Sequence, residues 1–361
     1  MLSLTIATSL NCNMACTYCY EGRSAIKKKD MDDAVQADVV DFVKKHLENG
    51  NIKQFHVSWY GGEPLLNKDA IYNLSSEFKK LCSEKNVGYH ASITTNGILL
   101  DYETAKRLKD DCAVTAAQVT VDGMPEHHDA RRIFLDGKGS FDILVNNIEA
   151  SREFLQIAVR VNVDKENASS AVELKKYFAD KGWKDNPYVY PAPIRDYGNC
   201  NYNTSCIFSG NDFARFESKQ IEESYALDER NIMRVYPRRM DYFCGAQRLN
   251  NFVIDPEGLL YSCWNDVGIV DQSFGDVKNG YDLNENYTKW LLSEPSPKCR
   301  ECQFLPVCQG GCPHDFFSRG EPTCLSWVHD YKNRLKLAYK DHISKKNSES
   351  SEVAAQCQCG A

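Results

Sequence analysis

Apolar residues in this chain change period repeatedly. Residues 2–8 (Leu-Ser-Leu-Thr-Ile-Ala-Thr) are rich in β-branched residues and partly alternate, which predicts a strand. Residues 32–48 place Val35, Val39, Phe42, Val43 and Leu47 at helical spacing, and Asn49-Gly50 ends that helix. The same switch recurs. Strands are predicted at 53–60, 89–95, 116–121 and 156–163, with helices at 70–85, 102–109, 141–155 and 169–181. Strand and helix in strict alternation imply a parallel sheet with right-handed crossovers. Such sheets bind ligands at the C-terminal ends of their strands. Beyond residue 185 the pattern breaks. Pro187, Pro191 and Pro193 punctuate an extended stretch, residues 212–226 read as a helix, and residues 252–262 read as a β-hairpin. The expected layout is a barrel-like domain over 1–185, a connector over 186–240 and a cysteine-rich domain over 241–335. A helix end with a mobile tail follows over 336–361.

Composition narrows the function. The formal net charge is −7, so no basic field invites nucleic acid. No run of about 18 apolar residues predicts a membrane span. The first apolar stretch, 2–10, is short and lacks the basic leader of a signal peptide. A cytoplasmic protein is therefore expected, one that keeps its 16 cysteines reduced. In that setting cysteines read as metal ligands before disulfides.

Three of them stand directly after the first strand, as Cys12-x3-Cys16-x2-Cys19. One loop can turn all three sulfurs toward one point. Thiolates suit iron–sulfur clusters, zinc or copper. Structural zinc needs four protein ligands, and the next histidine is His46. Three thiolates on a 4Fe–4S cluster leave one iron open. After the second strand comes Gly61-Gly62-Glu63-Pro64. Its glycines permit close backbone approach to a ligand, and Glu63 adds a carboxylate able to accept from an ammonium group.

The triplet, with aromatic Tyr18 before its last cysteine, resembles the signature of the radical S-adenosylmethionine (SAM) superfamily. The resemblance implies an incomplete (β/α)6 barrel of the α/β class. It also implies a cluster whose open iron chelates SAM, and reductive cleavage of SAM to a 5′-deoxyadenosyl radical. Gly61, Gly62 and Glu63 look like the element that holds the SAM amino group. Thr120-Val121-Asp122-Gly123, His128-Asp129-x-x-Arg132 and Gly139-Ser140-Phe141-Asp142 resemble the peptide- and protein-modifying members. By position, Thr120 and Arg132 match residues that hold the SAM carboxylate, with Arg131 the poorer match. Asn162 matches a late-strand polar residue near SAM. Asp122 is expected at the barrel mouth, as a catalytic group or an ordinary strand-end aspartate.

The third constellation is Cys244-x13-Gly258-x4-Cys263, then Cys299-x2-Cys302-x5-Cys308-x3-Cys312, then Cys324. By chemistry alone these seven build two thiolate sites, clusters or zincs. The pattern is similar to the SPASM domain of radical SAM maturases, which implies two auxiliary 4Fe–4S clusters and three clusters in all. Carried over by position, Cys299, Cys302, Cys308 and Cys324 hold the outer one, and Cys244, Cys263 and Cys312 the inner one. The inner fourth ligand is left open among Cys200, Cys206, a tail cysteine (Cys357 or Cys359) and a substrate thiolate. Cys82 and Cys112 read as buried structural thiols.

Anaerobic sulfatase-maturating enzymes have a similar length and order. They carry an aspartate directly after the match to Cys263, where this chain has Trp264; the nearest acid is Asp266. The expectation is therefore an enzyme that oxidatively crosslinks a ribosomally made peptide through a thioether or carbon–carbon bond. Asp122 and Asp266 are its candidate catalytic carboxylates. The expected partners are a precursor peptide, an electron donor such as flavodoxin or ferredoxin, and a separate leader-peptide-recognition protein. The rivals are formylglycine formation in a sulfatase and a zinc-binding interaction module.

Overall fold

The computed structural model describes residues 1–19, 28–183, 186–195, 202–227, 239 and 243–358; for 49, 224–227, 345 and 347–358 it describes the backbone alone. The predicted alternation becomes β1 (Leu2–Ser9), α1 (Asp33–Asn49), β2 (Gln54–Gly61), α2 (Lys68–Lys85), β3 (Gly88–Thr95), α3 (Tyr102–Asp110) and β4 (Val114–Thr120). Then come α4 (Pro125–Arg131), α5 (Phe141–Ser151), β5 (Gln156–Val163), α6 (Ala168–Asp180) and β6 (Tyr188–Pro193). Aspartates start two of the helices. Asp32 accepts from the Val35 amide at 2.9 Å and Asp101 from the Thr104 amide at 2.8 Å. The proline-punctuated stretch after 185 is the sixth strand. It tolerates Pro191 and Pro193 because β6 lies at the sheet edge, where missing N–H groups leave few ladder bonds unmade.

The chain divides into two compact units, Met1–Ile207 with Cys244–Ser293, and Phe208–Phe243 with Glu294–Ala361. In chain order α7 (Gly210–Leu227) belongs to the second. The first then resumes with β7 (Asn251–Ile254), β8 (Leu260–Tyr261), the short pair β9 (Gly275–Asp276) and β10 (Gly280–Tyr281), and α8 (Glu285–Leu291). The expected hairpin is β7–β8. It extends the sheet, because β7 pairs in parallel with β1, giving the order β6-β5-β4-β3-β2-β1-β7-β8. This is an α/β fold whose mostly parallel sheet is that of a partial barrel.

The two faces of the sheet differ. Phe55, Val57 and Trp59 of β2 are buried, and the Phe55 ring lies 5.1 Å from Phe78 of α2. The alternate positions are polar. Ser3, His56 and His90 share one register, Thr5, Ser58 and Ser92 the next, and Thr120, Arg160 and Tyr190 another. A closed eight-stranded barrel fills this face with bulky apolar side chains. Here the face is half-buried and polar, and fits a site for a polar ligand.

The second unit contains α7, the short helices α9 (Pro297–Arg300), α10 (Leu305–Cys308), α11 (Pro313–Arg319) and α12 (Ser326–His329), and α13 (Tyr331–Gln358). Buried Arg334 and Ser326 both hydrogen-bond Glu217 and so pin α12 and α13 to α7. The backbone of α13 stays helical through Gln358. Among the described residues, no helix is long and apolar enough to cross a membrane.

Candidate active site and thiolate sites

The glycines of Gly61-Gly62-Glu63-Pro64 bring the chain close to its own cysteine loop. The Gly62 amide donates to Ser9 O at 2.9 Å and the Glu63 amide to Asn11 O at 2.8 Å. Gly61 sits at φ +133°, where an added Cβ would lie 2.1 Å from Ser9 O; one on Gly62 would lie 2.6 Å from Asn11 O. Only glycines let the loop cross the end of β2. On its other side the loop pairs with the segment after α4. Ala15 N donates to Ile133 O at 2.8 Å and Thr17 N to Arg131 O at 3.0 Å. The Cys19 amide turns back to Cys16 O at 3.1 Å. Asn96 at the end of β3 reaches in, donating to Asn13 Oδ1 at 2.7 Å and approaching Cys12 Sγ at 3.7 Å.

Glu63 is fully buried. Its carboxylate accepts from the Leu65 amide (3.0 Å), the Thr95 hydroxyl (2.7 Å) and the Asn96 amide (2.7 Å). Burial pushes its pKa up, against the pull of those donors. Glu63 thus ties the end of β2 to the end of β3.

A second polar group gathers at the ends of β4 and β5. The Tyr18 hydroxyl donates to Asp122 Oδ2 and accepts from Arg132 Nη1 at 2.9 Å and Asn162 Nδ2 at 3.1 Å. Asp122 Oδ1 accepts from the Asn162 amide at 2.9 Å, and Asn162 Oδ1 accepts from Arg160 Nε at 2.8 Å. Asp122 is fully buried and both its oxygens are used. Burial raises its pKa, and Arg132 opposes the rise. Arg131 and Arg132 part company here. Arg131 Nη2 binds Asp164 at 2.8 Å on the β5 side, whereas Arg132 turns to Tyr18 and, at 4.0 Å, the sulfur of Met14. Thr120 ends β4 in register with Arg160.

These residues fit the cofactors implied by the sequence. Burial pushes the Cys16 thiol up to about 11, while the Arg132 charge pulls it down. Burial also works against the Arg132 charge, but Tyr18, Cys16 and Asp122 together hold its pKa well above the ordinary value. Arg132 Nε is buried with no hydrogen-bond partner. A cationic donor left unpaired near Cys16 suits an anionic ligand on a cluster.

In the second unit Cys299, Cys302, Cys308 and Cys324 line one small cavity, together with Phe304, Leu305 and Val328. Among the described residues, no three His, Cys, Asp or Glu side chains stand close enough to share a single metal ion. Four thiols around one cavity are a ligand set suited to an iron–sulfur cluster or to zinc. Gly310 and Gly311, at φ +94° and +80°, make the turn at its wall; a Cβ on Gly311 would fall 2.7 Å from Thr323 O. Cys312 caps α11 in this unit.

In the first unit Cys244 and Cys263 pack in one cluster with Ala246 and Trp290. Trp264 is 48% exposed and its ring lies 6.4 Å from Tyr60, the residue before Gly61. Asp266 is buried in the same short turn. Cys206 donates to Glu166 at 2.8 Å, a contact that raises its pKa. Cys200, Cys359 and the side chain of Cys357 lie outside the described residues. Cys82 and Cys112 are buried structural thiols.

Sequence reasoning missed Asn96, Asp164 and Tyr202. Tyr202 bonds to Asp164 and packs edge-on to Tyr18 at 6.2 Å. The positions of Asn96 and Asp164 directly after strands could have flagged those two.

A loop of three thiols and a buried, half-satisfied arginine thus stand at the C-terminal mouth of a partial barrel. Residues 6–178 match the Radical SAM superfamily, so the barrel carries a Radical SAM domain, which supports an enzyme with SAM and a 4Fe–4S cluster as cofactors. The chain is 25% identical over 371 residues to a cysteine-type anaerobic sulfatase-maturating enzyme of Clostridium novyi, covering 93% of this chain and 94% of that protein. Among solved structures, anSMEcpe with bound AdoMet superposes with a TM-score of 0.73 at 21% identity, over 96% of this chain and 100% of that one. Streptococcus suis SuiB bound to precursor peptide SuiA gives 0.63 at 16% identity, over 89% and 74%.

Proposed function

We propose that this radical SAM enzyme is a maturase of peptide or protein substrates, and that it oxidatively joins two substrate side chains by a thioether or carbon–carbon bond. The observation that carries this reading is the four-thiol cavity of the second unit, added to the three-thiol loop of the barrel. When bound, SAM and the clusters supply a hydrogen-abstracting radical and a sink for the electron a crosslink leaves behind. We assign three 4Fe–4S clusters, with Cys12, Cys16 and Cys19 on the SAM cluster. Cys299, Cys302, Cys308 and Cys324 hold an auxiliary cluster, and Cys244 and Cys263 belong to another.

The chain's own residues bind and orient. Arg132 and Thr120 hold the SAM carboxylate, and the Gly61-Gly62 backbone holds its amino group. Glu63, Tyr18, Asn162 and Asp122 act by positioning, since their polar atoms are engaged with one another and with strand ends. Asp266 takes the proton that a substrate thiol loses as its sulfur bonds to carbon. The proposed partners are a precursor peptide, a flavodoxin- or ferredoxin-type electron donor and a separate leader-recognition protein. A reducing compartment, the cytoplasm, keeps the thiols available.

Formylglycine formation is the second reading, favoured by similarity along nearly the whole length of the Clostridium novyi enzyme. Trp264, in place of an acid after Cys263, weighs against it. The test is anaerobic incubation with SAM, reductant and either a sulfatase-derived cysteine peptide or a cysteine-rich precursor peptide. Loss of two hydrogens with a protease-resistant ring supports crosslinking. A hydrazide-reactive aldehyde supports the second reading and overturns the first.

A further inference from the structure

The motifs His128-Asp129-x-x-Arg132 and Gly139-Ser140-Phe141-Asp142 leave most of their members without a task in the reading above. The structure joins them. Asp129 Oδ1 accepts from the Ser140 amide at 2.7 Å and the Phe141 amide at 2.9 Å, capping the start of α5. A Cβ on Gly139 would fall 2.3 Å from that carboxylate carbon, so glycine is required beside it. The hydroxyl of Ser140, so placed, donates to the Arg132 carbonyl at 2.7 Å. Serine has one hydroxyl proton, so His128 Nε2, at 2.9 Å, must donate to Ser140 Oγ. Its Nδ1 then carries the lone pair and accepts from the Asp122 amide at 3.1 Å. Both ring nitrogens of this fully buried imidazole are used, and one neutral tautomer is fixed.

The circuit closes on the cysteine loop. Tyr18 donates to the Asp122 carboxylate and accepts from Arg132 Nη1. Five residues from the loop, the end of β4, α4 and the start of α5 form one ring of hydrogen bonds.

We propose that His128 is a positioning residue for SAM. It fixes the backbone of Arg132 through Ser140, and the acceptor of Tyr18 through the Asp122 amide. Arg132 is thereby held rigidly beside the cysteine loop, with its buried Nε still unpaired. The inference rests on the assignment of Arg132 to the SAM carboxylate.

The test uses the reconstituted holoenzyme without any peptide. SAM affinity is read from the change SAM causes in the electron paramagnetic resonance spectrum of the reduced cluster. Thermal unfolding is followed in parallel. Arg132→Gln serves as the reference. His128→Phe and Ser140→Ala are each expected to weaken SAM binding about tenfold, the scale of one well-placed hydrogen bond. Their double variant should be no weaker than His128→Phe alone, because both cut one ring. If His128→Phe fails to fold, His128→Asn, which keeps an acceptor for the Asp122 amide, replaces it. SAM affinity within twofold of wild type, beside a lowered unfolding temperature, would make the ring merely structural and overturn the proposal. An unchanged affinity in Arg132→Gln as well would overturn the Arg132 assignment and the ring with it.

Discussion

The N-terminal loop and the C-terminal cavity are both built from cysteine thiols, yet their surroundings differ. Around Cys12, Cys16 and Cys19 stand Asn96, Arg132, Tyr18 and the buried carboxylates of Glu63 and Asp122. Around Cys299, Cys302, Cys308 and Cys324 the wall is apolar, with Phe304, Leu305 and Val328, and turns on two glycines. Three thiols amid oriented polar groups leave a coordination place and the means to hold a charged ligand there. Four thiols in an apolar wall offer no such polar groups, the surroundings expected of the proposed electron sink. The number of sulfurs and the polarity around them together set the two sites apart.

Removing one sulfur from each site tests the contrast most severely. Cys16→Ala should abolish SAM cleavage, with 5′-deoxyadenosine falling below detection. Cys302→Ser should lose about four of about twelve irons per chain, yet still cleave SAM while failing to complete the oxidised product. Iron content and 5′-deoxyadenosine yield check both, and equal loss of SAM cleavage in the two variants would erase the distinction.

The glycines come next. Gly61→Ala forces Cβ against the Ser9 carbonyl at a φ that L-residues avoid, and should destabilise by about 3 kcal/mol or more, taking the SAM cluster with it. Gly311→Ala meets the Thr323 carbonyl at 2.7 Å and should cost about 1–3 kcal/mol, lowering occupancy of the cavity alone. Chemical denaturation with iron analysis separates the two effects.

The smallest effects are in pH. Burial, with Arg132 nearby, holds His128 down at about 3, below its ordinary 6.5. The unfolded chain gains a proton below 6.5 that the folded one refuses, so between pH 6.5 and 5 His128 costs about 2 kcal/mol of stability. Asp255, in the turn between β7 and β8, works in the opposite sense. Burial raises it to about 6, so the folded state keeps a proton the unfolded one loses, and its contribution falls as pH rises from about 4 to 6. His128→Asn should become more stable toward acid, and Asp255→Asn less stable. Unfolding at pH 5 and 7 distinguishes them.

Much of this was legible in the residues. The period of the apolar pattern located five of the first six strands to within two residues, because each buries one full face against helices. The sixth was hidden by its prolines, which an edge strand tolerates and a central one does not. The helix α4 was also missed, since seven residues are too few to display a period. Cysteine spacing marked the thiolate sites. Glycine position marked Gly61 and Gly62, although the backbone they admit is the chain's own.

What the sequence determined by itself was therefore local: strand and helix periods, loop-borne thiols at short spacing, and glycines at strand ends. What only tertiary structure decided was the partner of each adjacent arginine, Asp164 for Arg131 and Tyr18 for Arg132. It also brought Asn96 to Cys12, and set His128 and Ser140 behind Arg132 in one ring. Spacing specifies chemistry when its members share a loop. Partners separated by tens of residues meet only when the strands carrying them are brought side by side, and that depends on the packing of the whole sheet.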